Sequence, residues 1–437
     1  MDKDTIVSQA TPYGYSSVAV IRISGTRAFS VANKISKNKK TFTHHMVALL
    51  PLFDSENQQV DRGVFLFFKG PKSYTGEDVV EISCHGNPVI CAEIIRAIIK
   101  KGCRLAHPGE YTKRAFLNKK INLSQAESIG LLISSRSKEA IRANLKNIEP
   151  TTTKKIIKIK DRLLFCASKL EFELDITEEE HPSSENLSYI VKTLKNNIIA
   201  CRKTIGSYNI GTAYNTGFRV AVVGEPNAGK STLVNAITQT NNSIVSKTPG
   251  TTRDAITTSV VMFGCPLIFV DTAGLRDTKN KIEKEGVRRT KAEIDSADLV
   301  LSVFSPETEP VDFIKYKKQL TVYNKVDLQK ETNIKFDCSV SSLYGRGIKS
   351  LIKKIEKRLI KKPNTDIVIN TERQRSSLLG CLSFMESALD LIKRKPPTLE
   401  IAALETRCAI DKLEVFLGET TTDDILNKVF SDFCVGK

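Results

Sequence analysis

Gly224, Gly229, Lys230 and Ser231 stand in the order G-x-x-x-x-G-K-S within FRVAVVGEPNAGKS, the stretch from Phe218 to Ser231. That spacing is the pattern of a phosphate-binding loop. Glycine lacks a Cβ, so backbone N–H groups from Asn227 through Ala228 and Gly229 to Thr232 can curl around a polyphosphate. Lys230 would reach the outer phosphates, and the Ser231 hydroxyl would bind magnesium. The loop needs a strand before it and a helix after it. Phe218 to Val223 is a β-branched apolar run suited to a buried parallel strand. Thr232 to about Thr238 reads as a helix whose N-terminal dipole points at the same charge.

Four further stretches follow in the order expected of a GTPase. Gly250-Thr251-Thr252-Arg253-Asp254 supplies Thr252, whose hydroxyl and carbonyl can reach magnesium and the γ-phosphate. A strand from Leu267 to Val270 delivers Asp271-Thr272-Ala273-Gly274, in which Asp271 would hold magnesium through water and the Gly274 N–H would sense the γ-phosphate. A strand from Leu320 to Tyr323 ends in Asn324-Lys325-Val326-Asp327. A carboxylate there accepts from both N1–H and the 2-amino group of guanine. Adenine offers no such donor pair, which makes the substrate GTP. Ser339-Val340-Ser341 is read as the loop whose backbone contacts the guanine oxygen, with valine in place of the commoner alanine. The position after Gly274 is Leu275, which cannot orient a water as the glutamine of Ras-type enzymes does. Glu283 is the nearest candidate carboxylate for that task, and an ordinary helix-start glutamate is the alternative reading. The transition state also needs a positive charge, from an arginine or a bound cation.

The rest of the chain must position this module. Residues 1–118 alternate strand-like runs (Val18 to Ile23, Gly63 to Phe68, Asp78 to Ser83) with short helices, one of them from Pro88 to Lys101 and ended by Gly102. This is an α+β domain. Arg22, Glu81, His85 and Lys120 are polar residues on or near its strands and loops, which together could line a small-molecule pocket. Residues 119–215 turn helical: Ser124 and Glu127 suggest a capping box, and a long amphipathic helix is expected from Thr153, with Ile156, Leu163 and Leu170 seven residues apart. A breaker-rich acidic loop, Thr177 to Asn186, precedes a third helix reaching about Ser207. Residues 216–361 are the nucleotide domain, and residues 362–437 return to helices over 371–393 and 398–417. The late helices are expected to pack on the early ones, making the nucleotide domain an insertion in a helical domain.

The chain has 437 residues, enough for several cores. The 41% apolar and 26% charged residues are those of a soluble globular protein. No run of about 18 apolar residues marks a membrane span. No basic segment followed by an apolar core marks a secretory signal at the N-terminus. Ten cysteines occur without a C-x-x-C pair, which argues against a zinc ribbon or a disulfide framework and fits reduced thiols in a cytoplasm. A net charge of +17 points to a polyanionic partner, nucleic acid first, against the alternative of a lysine-rich genome.

GEPNAGKSTLVNAI, GTTRD, DTAGLR, RISG, YTGEDVVEISCHGNP, RAFLNKKINLSQAE and the terminal FCVGK together resemble the MnmE (TrmE) family of tRNA-modification GTPases, and the resemblance spans the whole chain. It implies an N-terminal domain that binds 5-formyl- or 5,10-methylene-tetrahydrofolate and dimerises, a helical domain, and an inserted Ras-like P-loop GTPase domain. It implies a homodimer and a heterotetramer with an MnmG-like FAD protein, which adds a carboxymethylaminomethyl or aminomethyl group to C5 of the wobble uridine of certain tRNAs. Potassium takes the place of an arginine finger. By position, Asn227 is then the potassium ligand of the phosphate loop. The loop Ser246, Lys247, Thr248, Pro249, Gly250 and Thr251 completes its shell, with Ser246, Thr248 and Thr251 as ligands. Ser231 and Thr252 bind magnesium, and Glu283 positions the water. Arg22, Glu81, Lys120 and the terminal Lys437 match folate contacts, and Cys434 a tail cysteine required for modification.

Two other classes share parts of this pattern. A switch-type GTPase acting in ribosome assembly has the nucleotide domain and the basic charge, but not about 215 residues ahead of it nor the FCVGK tail. A folate-dependent one-carbon transferase with a regulatory nucleotide domain differs in whether tRNA is required.

Overall fold

Alternating apolar residues along the early strands build one six-stranded sheet, and the parallel strands around the phosphate loop build another. The computed structural model describes residues 4–38, 43–175, 183–239, 256–271, 293–307, 318–328, 335–360, 367–431 and 433–436. They fall in two units, Met1–Gly130 with Ile410–Lys437, and Leu131–Ala409.

The first unit contains β1 (Ile6–Gln9), β2 (Ser16–Ser24), α1 (Ala28–Ser36), β3 (Met46–Phe53), β4 (Gln59–Phe68), β5 (Val79–Gly86), α2 (Pro88–Lys100), β6 (Arg104–Leu105), α3 (Glu110–Leu117) and the start of α4 (Leu123–Ser134). Its sheet runs β3-β4-β5-β2-β1-β6. One face buries Ile21, Ile23, Phe65, Phe67, Val80 and Ile82 against Val31 and Ile35 of α1 and Ile94 and Ile98 of α2. Side chains alternate with a period of two, so the other face carries the intervening residues. Across that face the register sets Val47 opposite Leu66, Leu66 opposite Glu81, and Glu81 opposite Arg22. Val47 and Leu49 there are 60% and 59% exposed. α2 starts as read, with Pro88 in its first turn and the Asn87 side chain accepting from the Val89 N–H.

α4 corrects the expected cap. The reciprocal bonds join Asn122 and Gln125, each side chain accepting from the other's backbone N–H at 3.0 and 2.9 Å, while Ser124 and Glu127 lie inside the helix. The same S/T/N-x-x-E/Q logic operates two residues earlier, because asparagine caps as well as serine.

The second unit continues with α5 (Lys138–Ile148), α6 (Pro150–Leu174), α7 (Ser184–Ile205), α8 (Tyr208–Thr216), β7 (Phe218–Val223), α9 (Lys230–Gln239), β8 (Ile256–Met262), β9 (Cys265–Asp271), β10 (Leu299–Phe304), β11 (Gln319–Tyr323), β12 (Cys338–Ser339), α10 (Ile348–Leu359), α11 (Glu372–Lys393) and α12 (Leu399–Leu417). The long helix starts at Pro150 rather than Thr153, since proline suits a first turn. Ile156, Leu163 and Leu170 are buried as the seven-residue spacing requires, and α11 packs on α7. The sheet runs β12-β11-β10-β7-β9-β8 and is parallel except for the β8–β9 pair.

Segments just before β7 and just before α11 meet α5 at one buried amide hub. Asn144 of α5 donates to Asn215 Oδ1 at 2.8 Å and accepts from Asn370 Nδ2 at 2.7 Å. Asn147 donates to the Val368 carbonyl at 2.7 Å, and the Ile369 N–H donates to Ser207 Oγ at 3.1 Å. Asn144 is wholly buried, so these bonds satisfy an amide that could not otherwise be dehydrated without cost.

α13 (Asp423–Ser431) belongs to the first unit. Its Leu426 and Phe430 pack with Leu123 and Ala126. Residues 410–437, grouped with the late helices in the sequence, thus make their contacts in the first unit.

Candidate functional site

Strand β7 delivers the phosphate loop from the centre of its sheet, with Val220, Ala221 and Val222 buried, and α9 begins at Lys230. Lys230 Nζ donates to the carbonyls of Gly224 and Glu225 at 3.1 and 3.0 Å, which holds the ammonium over its own loop. Asn227, at φ +62°, is exposed at the loop's crest, and Ser231 and Thr232 are exposed on the first turn of α9. Gly229 sits at φ +84°, and a Cβ there would lie 2.4 Å from Asn324 Nδ2. No other residue fits that approach.

Asn324 ties the phosphate loop to the base-reading loop. Its Nδ2 donates to the Ala228 carbonyl at 3.0 Å, and its Oδ1 accepts from Ser342 N–H at 3.1 Å and Ser342 Oγ at 2.8 Å. Asp327 Oδ1 accepts from Ser341 Oγ at 2.5 Å, which orients the carboxylate expected to read guanine. Lys325, at φ +61°, pairs with Glu307 at 2.5 Å. Of the expected Ser339-Val340-Ser341 loop, only Ser341 reaches Asp327. Ser339 ends β12, and the Val340 N–H is spent on the Tyr323 carbonyl at 2.7 Å. Ser342, next after the expected loop, is the residue that clamps Asn324.

Asp271 ends β9 opposite Val222 in the register, beside the start of the phosphate loop. Ser246, Lys247, Thr248, Pro249, Gly250, Thr251, Thr252, Thr272, Ala273, Gly274, Leu275, Glu283 and Lys437 lie outside the described residues.

In the first unit, Arg22 and Glu81 face each other across β2 and β5. Arg22 Nε and Nη2 both reach Glu81 Oε1, at 2.8 and 2.7 Å. Arg22 Nη1 donates to the Gly436 carbonyl at 2.9 Å, so the C-terminal tail ends on this pair. The Arg22 guanidinium lies 5.5 Å from the centre of the Tyr111 ring, whose hydroxyl donates to the Arg22 carbonyl at 2.7 Å. Lys120 Nζ donates to the Pro71 carbonyl at 2.9 Å. His85 lies four residues beyond Glu81 and is held by Asp61 at 2.7 Å. Cys434 is exposed, two residues before Gly436.

Beside this pair lies a charge network that no local pattern announces. Arg114, with a side chain 9% exposed, bonds Asp4, Glu77 and Glu110, and Arg104 bonds Glu110 and Asp4. Burial alone would raise the Glu110 carboxyl, but hydrogen bonds from Arg104, the His107 N–H and Arg114 outweigh it and hold it down at about 2. Arg114 and Glu110 are four apart on α3, yet Asp4 and Glu77 come from distant sequence.

A parallel sheet led by a glycine-lysine-serine loop, with an asparagine–aspartate reader behind it, defines a P-loop GTPase, here preceded by a separate α+β module. The chain belongs to the MnmE family. Residues 5–120 match the family model described as GTP-binding protein TrmE N-terminus, and residues 123–434 match the MnmE helical domain. It is 35% identical over 448 residues to the "tRNA modification GTPase MnmE" of Aquifex aeolicus, covering 100% of both chains. It is likewise 35% identical over 464 residues to the protein so named from Caldicellulosiruptor saccharolyticus (100% of both), and 33% identical over 454 residues to that of Thermotoga petrophila (99% of this chain, 100% of that one). Among the described residues no helix is long and apolar enough to cross a membrane.

Proposed function

We propose that this GTPase modifies tRNA, working with an MnmG-like FAD protein to add a carboxymethylaminomethyl or aminomethyl group to C5 of the wobble uridine. The one-carbon unit comes from 5-formyl- or 5,10-methylene-tetrahydrofolate. The observation that carries the one-carbon part is the Arg22–Glu81 pair with the tail carbonyl of Gly436 bonded to it. A carboxylate and a guanidinium side by side suit the donors and acceptors of a pterin ring, and Lys120 suits the glutamate end of the cofactor. Lys437 would join them. Cys434 is the only exposed thiol among the described residues and is carried by the same tail. The homodimer finds support in the uncovered sheet face with Val47 and Leu49 exposed, the kind of surface that a second copy would cover.

At the nucleotide, Lys230 and the loop from Asn227 to Thr232 hold the phosphates, and Asp327 reads guanine. Ser341 orients Asp327, and the base-reading loop runs on through Ser342. Ser231 and Thr252 offer hydroxyls to magnesium. The exposed Asn227 offers a side-chain carbonyl to potassium, with Ser246, Thr248 and Thr251 closing the shell. Glu283 orients the water. Hydrolysis is expected to be much faster in potassium than in sodium, because an asparagine-plus-loop shell suits the larger ion; equal rates in the two salts would remove potassium from the scheme. The function as a whole is tested by incubating the protein with its flavoprotein partner, tetrahydrofolate donor, GTP and unmodified tRNA, then analysing nucleosides by mass spectrometry. A modified wobble uridine that needs all components is the expected result. GTP turnover with no new nucleoside would favour the ribosome-assembly class instead.

A further inference from the structure

The base of the second sheet carries a cleft of about 660 Å³, at the opposite ends of the strands from the phosphate loop. Lys318 and Asp298 stand at the starts of β11 and β10, Asp337 precedes β12, and α10 contributes Lys354, Lys357 and Arg358. The strands are parallel and five or six residues long, so the cleft lies roughly 17 Å from the nucleotide end at about 3.3 Å per residue.

Four cations against two carboxylates leave this lining at +2, and both carboxylates are engaged locally. Asp298 accepts from the Arg219 N–H at 2.9 Å, and Asp337 accepts from the Thr321 N–H and hydroxyl at 2.8 and 2.9 Å. Lys354 donates to the Asp337 carbonyl. Lys318, Lys357 and Arg358 are exposed and form no ion pair among the described residues. At about 100° of turn per residue, Lys354, Lys357 and Arg358 fall within one third of the α10 circumference, and Glu356 projects to the far side. The helix thus presents an unbroken cationic stripe to the cleft. Leu299 and Leu320 form its buried floor, and no aromatic side chain lines it. Protein interfaces are enriched in aromatic anchors at their core, and this cleft has none.

We propose that the cleft seats phosphodiester groups of the RNA backbone, so that the nucleotide domain itself grips the tRNA away from the base being modified. This rests on tRNA being the substrate. Such contacts fix position without reading sequence, and each released counterion adds to the salt dependence of binding.

The test uses the full-length protein and a fluorescently labelled tRNA, with anisotropy read from about 50 to 200 mM salt. The variant Lys318→Glu/Lys357→Glu/Arg358→Glu should bind about 10-fold or more weakly, with a log–log salt slope shallower by about 2 to 3. Its basal GTP hydrolysis should be unchanged, since the site of chemistry is at the other end of the sheet. If charge reversal lowers GTP hydrolysis, the neutral Lys318→Gln/Lys357→Gln/Arg358→Gln variant is used, with the same slope change and a smaller loss of affinity expected. Wild-type affinity and slope in a variant that hydrolyses GTP normally would overturn the proposal and leave the tRNA function standing. A wild-type protein that binds tRNA at no salt concentration would overturn both. Loss of binding to anionic phosphatidylserine vesicles with tRNA binding intact would assign the cleft to a membrane surface and overturn it as well.

Discussion

Arg22 and Gly436 are 414 positions apart in sequence and are joined by a 2.9 Å hydrogen bond from the guanidinium to the tail carbonyl. The tail comes within reach of Arg22 because residue 436 has no side chain: at φ +103° a Cβ would stand 2.6 Å from the Gln9 carbonyl and 2.8 Å from Ala10 Cα. Gly436→Val should therefore lift the tail off Arg22. Modification of tRNA is expected to fall about 10-fold or more, with GTP hydrolysis within about twofold of wild type, since loss of a positioned group costs that much or more in rate. Unaltered modification would detach the tail from the chemistry.

Cys434 is exposed, whereas Cys84, Cys91, Cys103, Cys166, Cys201, Cys265, Cys338 and Cys381 are buried. Burial pushes the Cys84 and Cys265 thiols up to about 12 and the Cys103 thiol to about 11, so they stay protonated and inert at neutral pH. Native-state labelling with a maleimide is expected to mark Cys434 first. Cys434→Ser should erase that label and abolish tRNA modification while leaving GTP hydrolysis intact. Both activities falling together would mean that the cysteine has no separate role.

Ser341 holds Asp327 by a 2.5 Å bond. Ser341→Ala frees that carboxylate to rotate, and GTP affinity should drop about 10- to 150-fold, the worth of one hydrogen bond to a charged group. Val340→Ala, whose N–H is already committed to Tyr323, should leave affinity within about twofold. Calorimetric titration of the two variants checks this; wild-type affinity in Ser341→Ala would show that the hydroxyl does not position Asp327.

Acid should unfold the first unit in a defined window. Glu110 titrates at about 2 when folded against an ordinary 4.5, so its stabilisation is fully present above about 4.5 and is lost as the pH falls toward 2. The difference corresponds to at most on the order of 3 kcal/mol. Urea midpoints measured from pH 5 to pH 2 should decline through that window, and Glu110→Gln should be less stable at neutral pH and flatter in acid. A variant with the wild-type slope would show that Glu110 does not carry the effect.

What could be read without coordinates is what local spacing determines. The phosphate loop, its strand and its helix needed only consecutive residues, and the heptad of α6 only a repeat. The cap of α4 was misplaced because two overlapping four-residue windows satisfy the same rule, and only geometry tells Asn122–Gln125 from Ser124–Glu127. Ser341 lay within the expected loop, but its bond to Asp327, fourteen positions earlier, is visible only in the fold. Tyr111, Arg114 and Asn144 were invisible for the same reason. Their partners lie tens to hundreds of positions away, and an arginine or asparagine inside a helix looks like ordinary surface until burial is known. Arg22 and Glu81 were picked out as polar residues, but their cross-strand pairing is a property of register.

The amide hub of Asn144 has a consequence for how the gene can be edited. Asn215 and Asn370 both bond the one side chain, so the segments entering and leaving the nucleotide sheet share a single anchor. The module is nonetheless no removable cassette: Ala140, Ala143, Ile210, Ala213 and Tyr214 of the flanking helices share one apolar core with its sheet, so cutting it out would bare that face to water.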